Sequence, residues 1–305
     1  MRVIAAGPQV SLQDAGRPGM MRFGIPLSGP MDRGAHALAA AAARRPGGVE
    51  VSRGGLALEC VEGSAGFALA GGGFIVDRED GRRHGSWHCG TLRAGGRITI
   101  RPGFWGSWSM LTFCGELIGP RWMGSVATHM PSGLGGAMVR AGDELRIGDG
   151  AEPEERDLIC PVWARPRRVL RVVMGPQERF FSADLRAAFL GDVFEVTDAG
   201  DRMGMRLRGP ALRPQGALAI PSEPVLRGAV QVSGDGVATV LMADHQTTGG
   251  YPKIATVIGA DLDALAQLRP RDKVVFRAVT PEAALAATRI RAAVIAASLA
   301  GVTRG

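Results

Sequence analysis

Residues 244–253, Asp244-His245-Gln246-Thr247-Thr248-Gly249-Gly250-Tyr251-Pro252-Lys253, bring a carboxylate, an imidazole, an amide, two hydroxyls and an ammonium into one short stretch. A carboxylate beside an ammonium can move a proton and hold developing charge. Two adjacent glycines let a ligand approach the backbone closely. The apolar runs 237–242 and 254–258 flank the stretch. Strand, polar loop, strand places such groups at the mouth of a barrel. The bland alternative is a Gly-Gly hairpin whose polar residues face water.

Three other loops carry functional side chains. Residues 11–19 hold Gln13, Asp14 and Arg17 among glycines, and Ser28 and Asp32 stand just before a helical stretch. A helix start can bind an anion, although capping alone explains Ser and Asp there. Arg202 sits in the turn Asp201-Arg202-Met203-Gly204, where it can clamp a carboxylate or make a structural ion pair. His84, His88 and Cys89 cluster around Trp87 without a fourth ligand nearby in sequence, so no metal is predicted.

The elements that must position these groups are mostly strands. Forty-five Gly and 19 Pro punctuate short apolar runs at 169–174, 193–196, 237–242 and 274–279. Period-2 alternation at 97–100 and 144–147 predicts half-buried antiparallel strands. Helices are expected over 34–45, 177–190, 261–268 (with Asp261 as cap) and 281–299. The last starts at Thr280-Pro281, with Gly301 just beyond its end. Residues 92–98, 139–145 and 268–274 echo one another, each a tight turn feeding a strand. The acidic stretch 150–157 is the best linker.

Composition bounds the classes. With 46% hydrophobic and 21% charged residues over 305 positions, the chain can bury a core without disulfides. Its four cysteines form no C-x-x-C pair and read as reduced, mostly buried thiols. The net charge of +7 is spread along the chain with no aromatic-studded basic motif, so nucleic acid is not the expected partner; an anionic substrate or an acidic partner fits better. Residues 1–10 do not read as a signal peptide, and the apolar run 35–43 is too short for a membrane span. The C-terminal stretch reads as an amphipathic helix lying on the protein, and the expected location is cytoplasmic. Neither Lys253 nor Lys273, the chain's two lysines, follows a P-loop or sits in a biotin-attachment context. No G-x-S-x-G nucleophile elbow occurs either.

Taken in order, residues 12–19, 24–32, Gly175-Pro176-Gln177, 201–207 and 244–257 resemble the allophanate-hydrolase subunit 2 family, also called the 5-oxoprolinase C-subunit or biotin-dependent carboxyltransferase family. The resemblance runs to about residue 279 and is strongest from Gly175 onward. It implies a mainly β fold of two cyclophilin-like β-barrel subdomains (1–157 and 158–280) plus a C-terminal helix and tail (281–305). It implies one component of an ATP-dependent 5-oxoprolinase or allophanate-hydrolase-like complex that cleaves an amide. Its partners would be a subunit-1-like protein, resembling the 5-oxoprolinase B component, and a lactam-utilisation protein resembling the A component. ATP would belong to the complex. The competing implications are carboxyl transfer from carboxybiotin on a separate carrier to a urea-like substrate, and a non-catalytic antagonist of a kinase inhibitor. Asp244 would be the base or orienting carboxylate, and Lys253 and Arg202 electrostatic stabilisers. Thr247 with Gly249 and Gly250 would donate hydrogen bonds; Gln246, Tyr251, Gln13, Asp14, Arg17, Ser28 and Asp32 would contact substrate. The first subdomain departs from the pattern: Val126 stands where the family has arginine, Arg45 replaces an asparagine, and residues 111–116 replace an Ala-Val-Ala-Gly-Gly run.

Overall fold

The computed structural model describes residues 1–216 and 220–303. The chain is mainly β and divides into two compact units, Met1–Pro18 with Ser28–Arg165 and Ile295–Gly305, and Gly19–Leu27 with Pro166–Val294.

The first unit pairs a five-stranded sheet with a six-stranded one. Arg97–Arg101 is central to the smaller sheet, and its pattern of buried Ile98 and Ile100 between exposed neighbours is the alternation expected from sequence. In the larger sheet, Trp108–Phe113 is buried along its whole length between Gly48–Ser52 and Ser64–Ala70. Leu58, Val76 and Ile100 from one sheet and Val51, Leu69 and Leu111 from the other share one apolar core. The helix α1 (Arg33–Ala43) packs over the opposite face of the larger sheet through Ala35, Leu38 and Ala39. Of the region 144–147, only Arg146–Ile147 forms a strand, paired with Leu117–Ile118.

The second unit is a closed seven-stranded barrel. Around it run Val169–Met174, Lys253–Val257, Ala229–Val232, Ala238–Leu241, Gly204–Arg208, Phe194–Gly200 and Lys273–Ala278. All neighbours are antiparallel except the closing pair, where Val169–Met174 meets Lys273–Ala278 in parallel. Phe276 stacks on Phe189 at 4.5 Å and meets Phe194 edge-on at 5.5 Å, which fills one end of the core.

The helix expected over 177–190 is interrupted. A 3-10 turn, Glu178–Phe180, precedes α2 (Ala183–Gly191), because Ser182 accepts from the Leu185 N–H at 3.3 Å and starts a fresh helix. The expected cap on α3 (Leu262–Ala266) is also absent. Asp261 stands at the cap position, but its carboxylate accepts from the Arg171 backbone N–H and guanidinium at 2.6–2.9 Å.

The C-terminal helix α4 (Pro281–Thr303) runs through Gly301 instead of stopping before it. An interior glycine costs only about 1 kcal/mol, and Trp163 Nε1 donates to Ser298 Oγ while Arg156 donates to Val302 O, which holds the last turns. No side chain of α4 is buried; Ile295, Leu299 and Val302 are its partly buried contacts with the first unit's apolar cluster. By length and composition this helix is long and apolar enough to cross a membrane.

The three echoing segments share one backbone. Gly96, Asp143 and Asp272 each donate their N–H to the carbonyl three residues earlier. The residue before each donor, Gly95, Gly142 or Arg271, has φ of 80°, 92° or 74°. Two copies use the residue best suited to that region and the third uses arginine.

Candidate functional site

Asp244 and Arg202 reach each other from two turns at one end of the barrel. Asp244 follows the strand Ala238–Leu241, and Arg202 lies between Phe194–Gly200 and Gly204–Arg208. The contact is bidentate: Nε to Oδ2 at 2.9 Å and Nη2 to Oδ1 at 3.1 Å. Asp244 is 0% and Arg202 1% exposed. The Asp244 N–H also donates to the Arg202 carbonyl at 2.7 Å. A carboxylate whose two oxygens both accept from one guanidinium is an anchor for that turn, not a group poised to take a proton. The carboxylate that Arg202 clamps is therefore the protein's own.

Lys253 begins the next barrel strand, Lys253–Val257, and is buried, with Nζ 2.7 Å from Glu223 Oε1. Gln177 closes a triangle: its Nε2 donates to Glu223 Oε1 at 2.6 Å, and its Oε1 accepts from the Lys253 N–H at 2.9 Å. Gly175 makes this reach possible, since a Cβ there would stand 2.3 Å from the Lys253 carbonyl oxygen. Residues 244–253 are not a free turn. Thr248–Gly249 pairs with Glu223–Pro224, and the Thr247 carbonyl accepts from the Val225 N–H. Gln246 Nε2 donates to Gln231 Oε1 at 3.0 Å. A Cβ on Gly249 would stand 2.6 Å from Gln231 Nε2, so this glycine makes room for that amide.

A cavity of about 610 Å³ opens within this unit, lined by Asp198, Asp201, Arg206, Gln231, Gln246 and Tyr251 among others. Among the described residues, Gln231 Nε2 is a buried donor without a hydrogen-bond partner. Gln246 and Tyr251 of the predicted set line the cavity. Asp244, Arg202 and Lys253 do not; they brace its wall.

The other predicted contacts lie in the first unit and are engaged there. Gln13 Nε2 donates to Ser11 Oγ and to the Thr128 carbonyl. Asp14 accepts from the Gly16 N–H, the Ser125 hydroxyl and the Val126 N–H. Arg17 donates to the Trp122 and Ala127 carbonyls and stacks over the Trp122 ring. Asp32 caps α1 by accepting from the Ala35 N–H, and Ser28 is buried at φ 52°. Val126, where the family pattern has arginine, is buried. The sequence reading missed Glu223, Gln231 and the buried Glu50, which accepts from the Met31 N–H. Only the Gly175-Pro176-Gln177 motif pointed toward the Glu223 triangle.

The four cysteines are free thiols, three of them buried, and burial pushes Cys89 up to about 11.

The family model described as "Carboxyltransferase domain, subdomain A and B" matches residues 23–278. The chain is 33% identical to the 5-oxoprolinase C component of Escherichia coli (strain K12), over 88% of this chain and 87% of that one. It is 31% identical to the 5-oxoprolinase C component of Haemophilus influenzae, over 89% of each. The Kluyveromyces lactis urea carboxylase crystal structure superposes with a TM-score of 0.85 at 22% identity, covering 97% of this chain and 29% of that one, and so shares the fold. This chain therefore belongs to the carboxyltransferase domain family, subdomains A and B.

Proposed function

We propose that this chain is one component of an ATP-dependent 5-oxoprolinase complex, a hydrolase that opens the C–N bond of a cyclic amide together with a subunit-1-like partner and a lactam-utilisation protein. The similarity to two 5-oxoprolinase C components over most of both chains supports the assembly. The single observation that carries the site is the unpartnered amide donor of Gln231 on a cavity that Gln246 and Tyr251 of the signature also line. A lactam oxygen or carboxylate is the acceptor that this donor lacks.

In this reading Gln231, Gln246 and Tyr251 contact substrate. Lys253, paired with Glu223 and braced by Gln177 behind the cavity wall, adds positive charge to the field that the developing oxyanion meets, without touching it. Asp244 and Arg202 are positioning residues that fix the turn carrying Asp201 and Met203. The cavity's own charges, two carboxylates against one guanidinium, do not fit a triphosphate, so ATP is assigned to a partner protein. The complex is read as cytoplasmic.

The second reading is carboxyl transfer, favoured by the neutral amides of Gln231 and Gln246, which suit the uncharged ureido group of a carrier-borne biotin.

The test is reconstitution with the two partner proteins. The lead reading expects ATP-dependent glutamate release from 5-oxoproline without biotin, and a fall in kcat of about 10-fold or more in Lys253→Met, which leaves Glu223 without its cation beside the cavity. Turnover that requires a biotinylated carrier and bicarbonate would select the second reading.

A further inference from the structure

Two histidines in the first unit, unused by the proposed reaction, face a carboxylate in a way that their sequence spacing does not reveal. The strand Arg83–Gly85 brings His84 alongside the strand His88–Arg93, and the rings of His84 and His88 stack at 4.0 Å with 18° between planes. The strand Arg156–Asp157 pairs with the second of these, setting Asp157 opposite His88. Residues 69 positions away thereby supply what the local sequence lacked. Cys89, the neighbour of His88 in sequence, points to the other face of the sheet, as alternation requires, and packs in the apolar cluster there.

We propose that His84, His88 and Glu155 form a binding site for one first-row transition-metal ion of the zinc class, with Asp157 as the residue that orients His88. Three observations support it. His88, with a side chain only 3% exposed, places Nδ1 2.9 Å from Asp157 Oδ1. A carboxylate accepts only, so the ring proton sits on Nδ1 and Nε2 keeps a lone pair; this is the carboxylate–histidine pairing found behind metal-ligating imidazoles. Nε2 of His88 and Nε2 of His84 are both buried without a hydrogen-bond partner among the described residues. Both nitrogens face the same oxygen, Glu155 Oε1, at 3.8 Å and 3.3 Å. The His88 lone pair repels that oxygen unless a cation lies between them, and His84, whose Nδ1 has no such carboxylate, can carry its proton there and turn its own Nε2 lone pair to the same ion.

The spacing suits such an ion. Ligand atoms about 2.0–2.1 Å from a tetrahedral zinc stand roughly 3.4 Å apart. Glu155 Oε1 stands 3.3 Å from His84 Nε2 and 3.8 Å from His88 Nε2, close to that spacing. Opposing charge is present: Arg82 Nη1 holds Glu155 Oε2 at 3.0 Å, and Arg78 Nη1 stands 3.9 Å from Oε1. Arg82 Nη1 also donates to Oε1 at 3.1 Å, so that oxygen keeps one lone pair for the ion and both guanidiniums weaken the site. A bound ion would tie the hairpin of Ile75–Arg78 and Arg83–Gly85 to the edge strand Arg156–Asp157.

The full-length chain titrated with Co²⁺, followed by its visible absorption and by competition with Zn²⁺, tests this. One equivalent is expected to bind with micromolar affinity. His84→Gln, at a half-buried position that leaves the core intact, is expected to weaken binding at least 100-fold. Asp157→Asn is expected to weaken it about 10- to 100-fold, while Cys160→Ser leaves it unchanged. Absence of a saturable cobalt band up to millimolar ion, or a His84→Gln chain that binds as tightly as the parent, overturns the site.

Discussion

Both carboxylate oxygens of Asp244 are occupied by the guanidinium of Arg202, at 2.9 and 3.1 Å, and neither side chain reaches solvent. The most conspicuous acid of the signature is thus spent inside the protein, and the chemistry of the cavity falls to amides, a phenol and the neighbouring lysine.

Asp244→Asn is expected to lower unfolding free energy by about 3–5 kcal/mol, since it leaves the Arg202 cation buried without its counter-charge. The double variant Asp244→Leu with Arg202→Met is expected to lose clearly less than the sum of the two single changes. Urea denaturation of the parent, Asp244→Asn, Asp244→Leu, Arg202→Met and the double variant measures both quantities, and additive losses would disprove coupling through this pair.

Gly249→Ala is expected to abolish the cavity's amide arrangement while sparing the barrel. The new Cβ would stand 2.6 Å from Gln231 Nε2 and 3.2 Å from Gln246 Nε2. Those side chains must swing away, so the reconstituted complex should show a KM raised about 10-fold or more, in line with losing one or two hydrogen bonds to substrate. Circular dichroism should be unchanged. An unaltered KM would remove Gln231 and Gln246 from substrate contact.

Arg271→Gly is expected to stabilise the barrel unit by about 0.5–1 kcal/mol. Arg271 sits at φ 74°, while the equivalent turns use Gly95 and Gly142. Relief of the left-handed penalty outweighs the added freedom of glycine in the unfolded chain. Chemical denaturation at neutral pH reads the change, and a loss of stability would refute the comparison of the three turns.

Stability should fall as pH drops below about 6.5 because of His36. Burial, chiefly, holds this imidazole below its ordinary value, and Nε2 lies 2.7 Å from the Pro46 carbonyl. Below the unfolded-state value the unfolded chain takes up a proton that the folded chain refuses, so acid favours unfolding, by at most about 1.4 kcal/mol per pH unit for one site. His36→Gln should flatten the profile between pH 6.5 and 5. An identical slope in the variant would assign the effect to other groups.

Much of this architecture was readable from the chain. The run 169–174 predicted a strand with the observed bounds, because β-branched residues between turn signals leave few alternatives. The Arg97–Arg101 strand and the cap on α1 followed from equally local rules. What was not readable depends on distance. Asp14 finds Ser125 and Val126 more than a hundred positions away, and Lys253 finds Glu223 through a two-residue strand that carries no periodic pattern. Phe181, Leu185 and Phe189 do fall at helical spacing, yet Ser182 starts its own helix and splits the segment. A local hydroxyl bond there outcompetes a pattern that spacing alone favoured.

The parallel pairing of Val169–Met174 with Lys273–Ala278 fixes when this barrel can exist. Its first staff waits for its last, about a hundred residues downstream, and the strands made in between have two raw rims until that final piece is synthesised. A nascent or truncated chain ending before residue 273 is therefore an open ribbon prone to pairing with its neighbours, and the Lys273–Glu195 contact is among the last latches to engage.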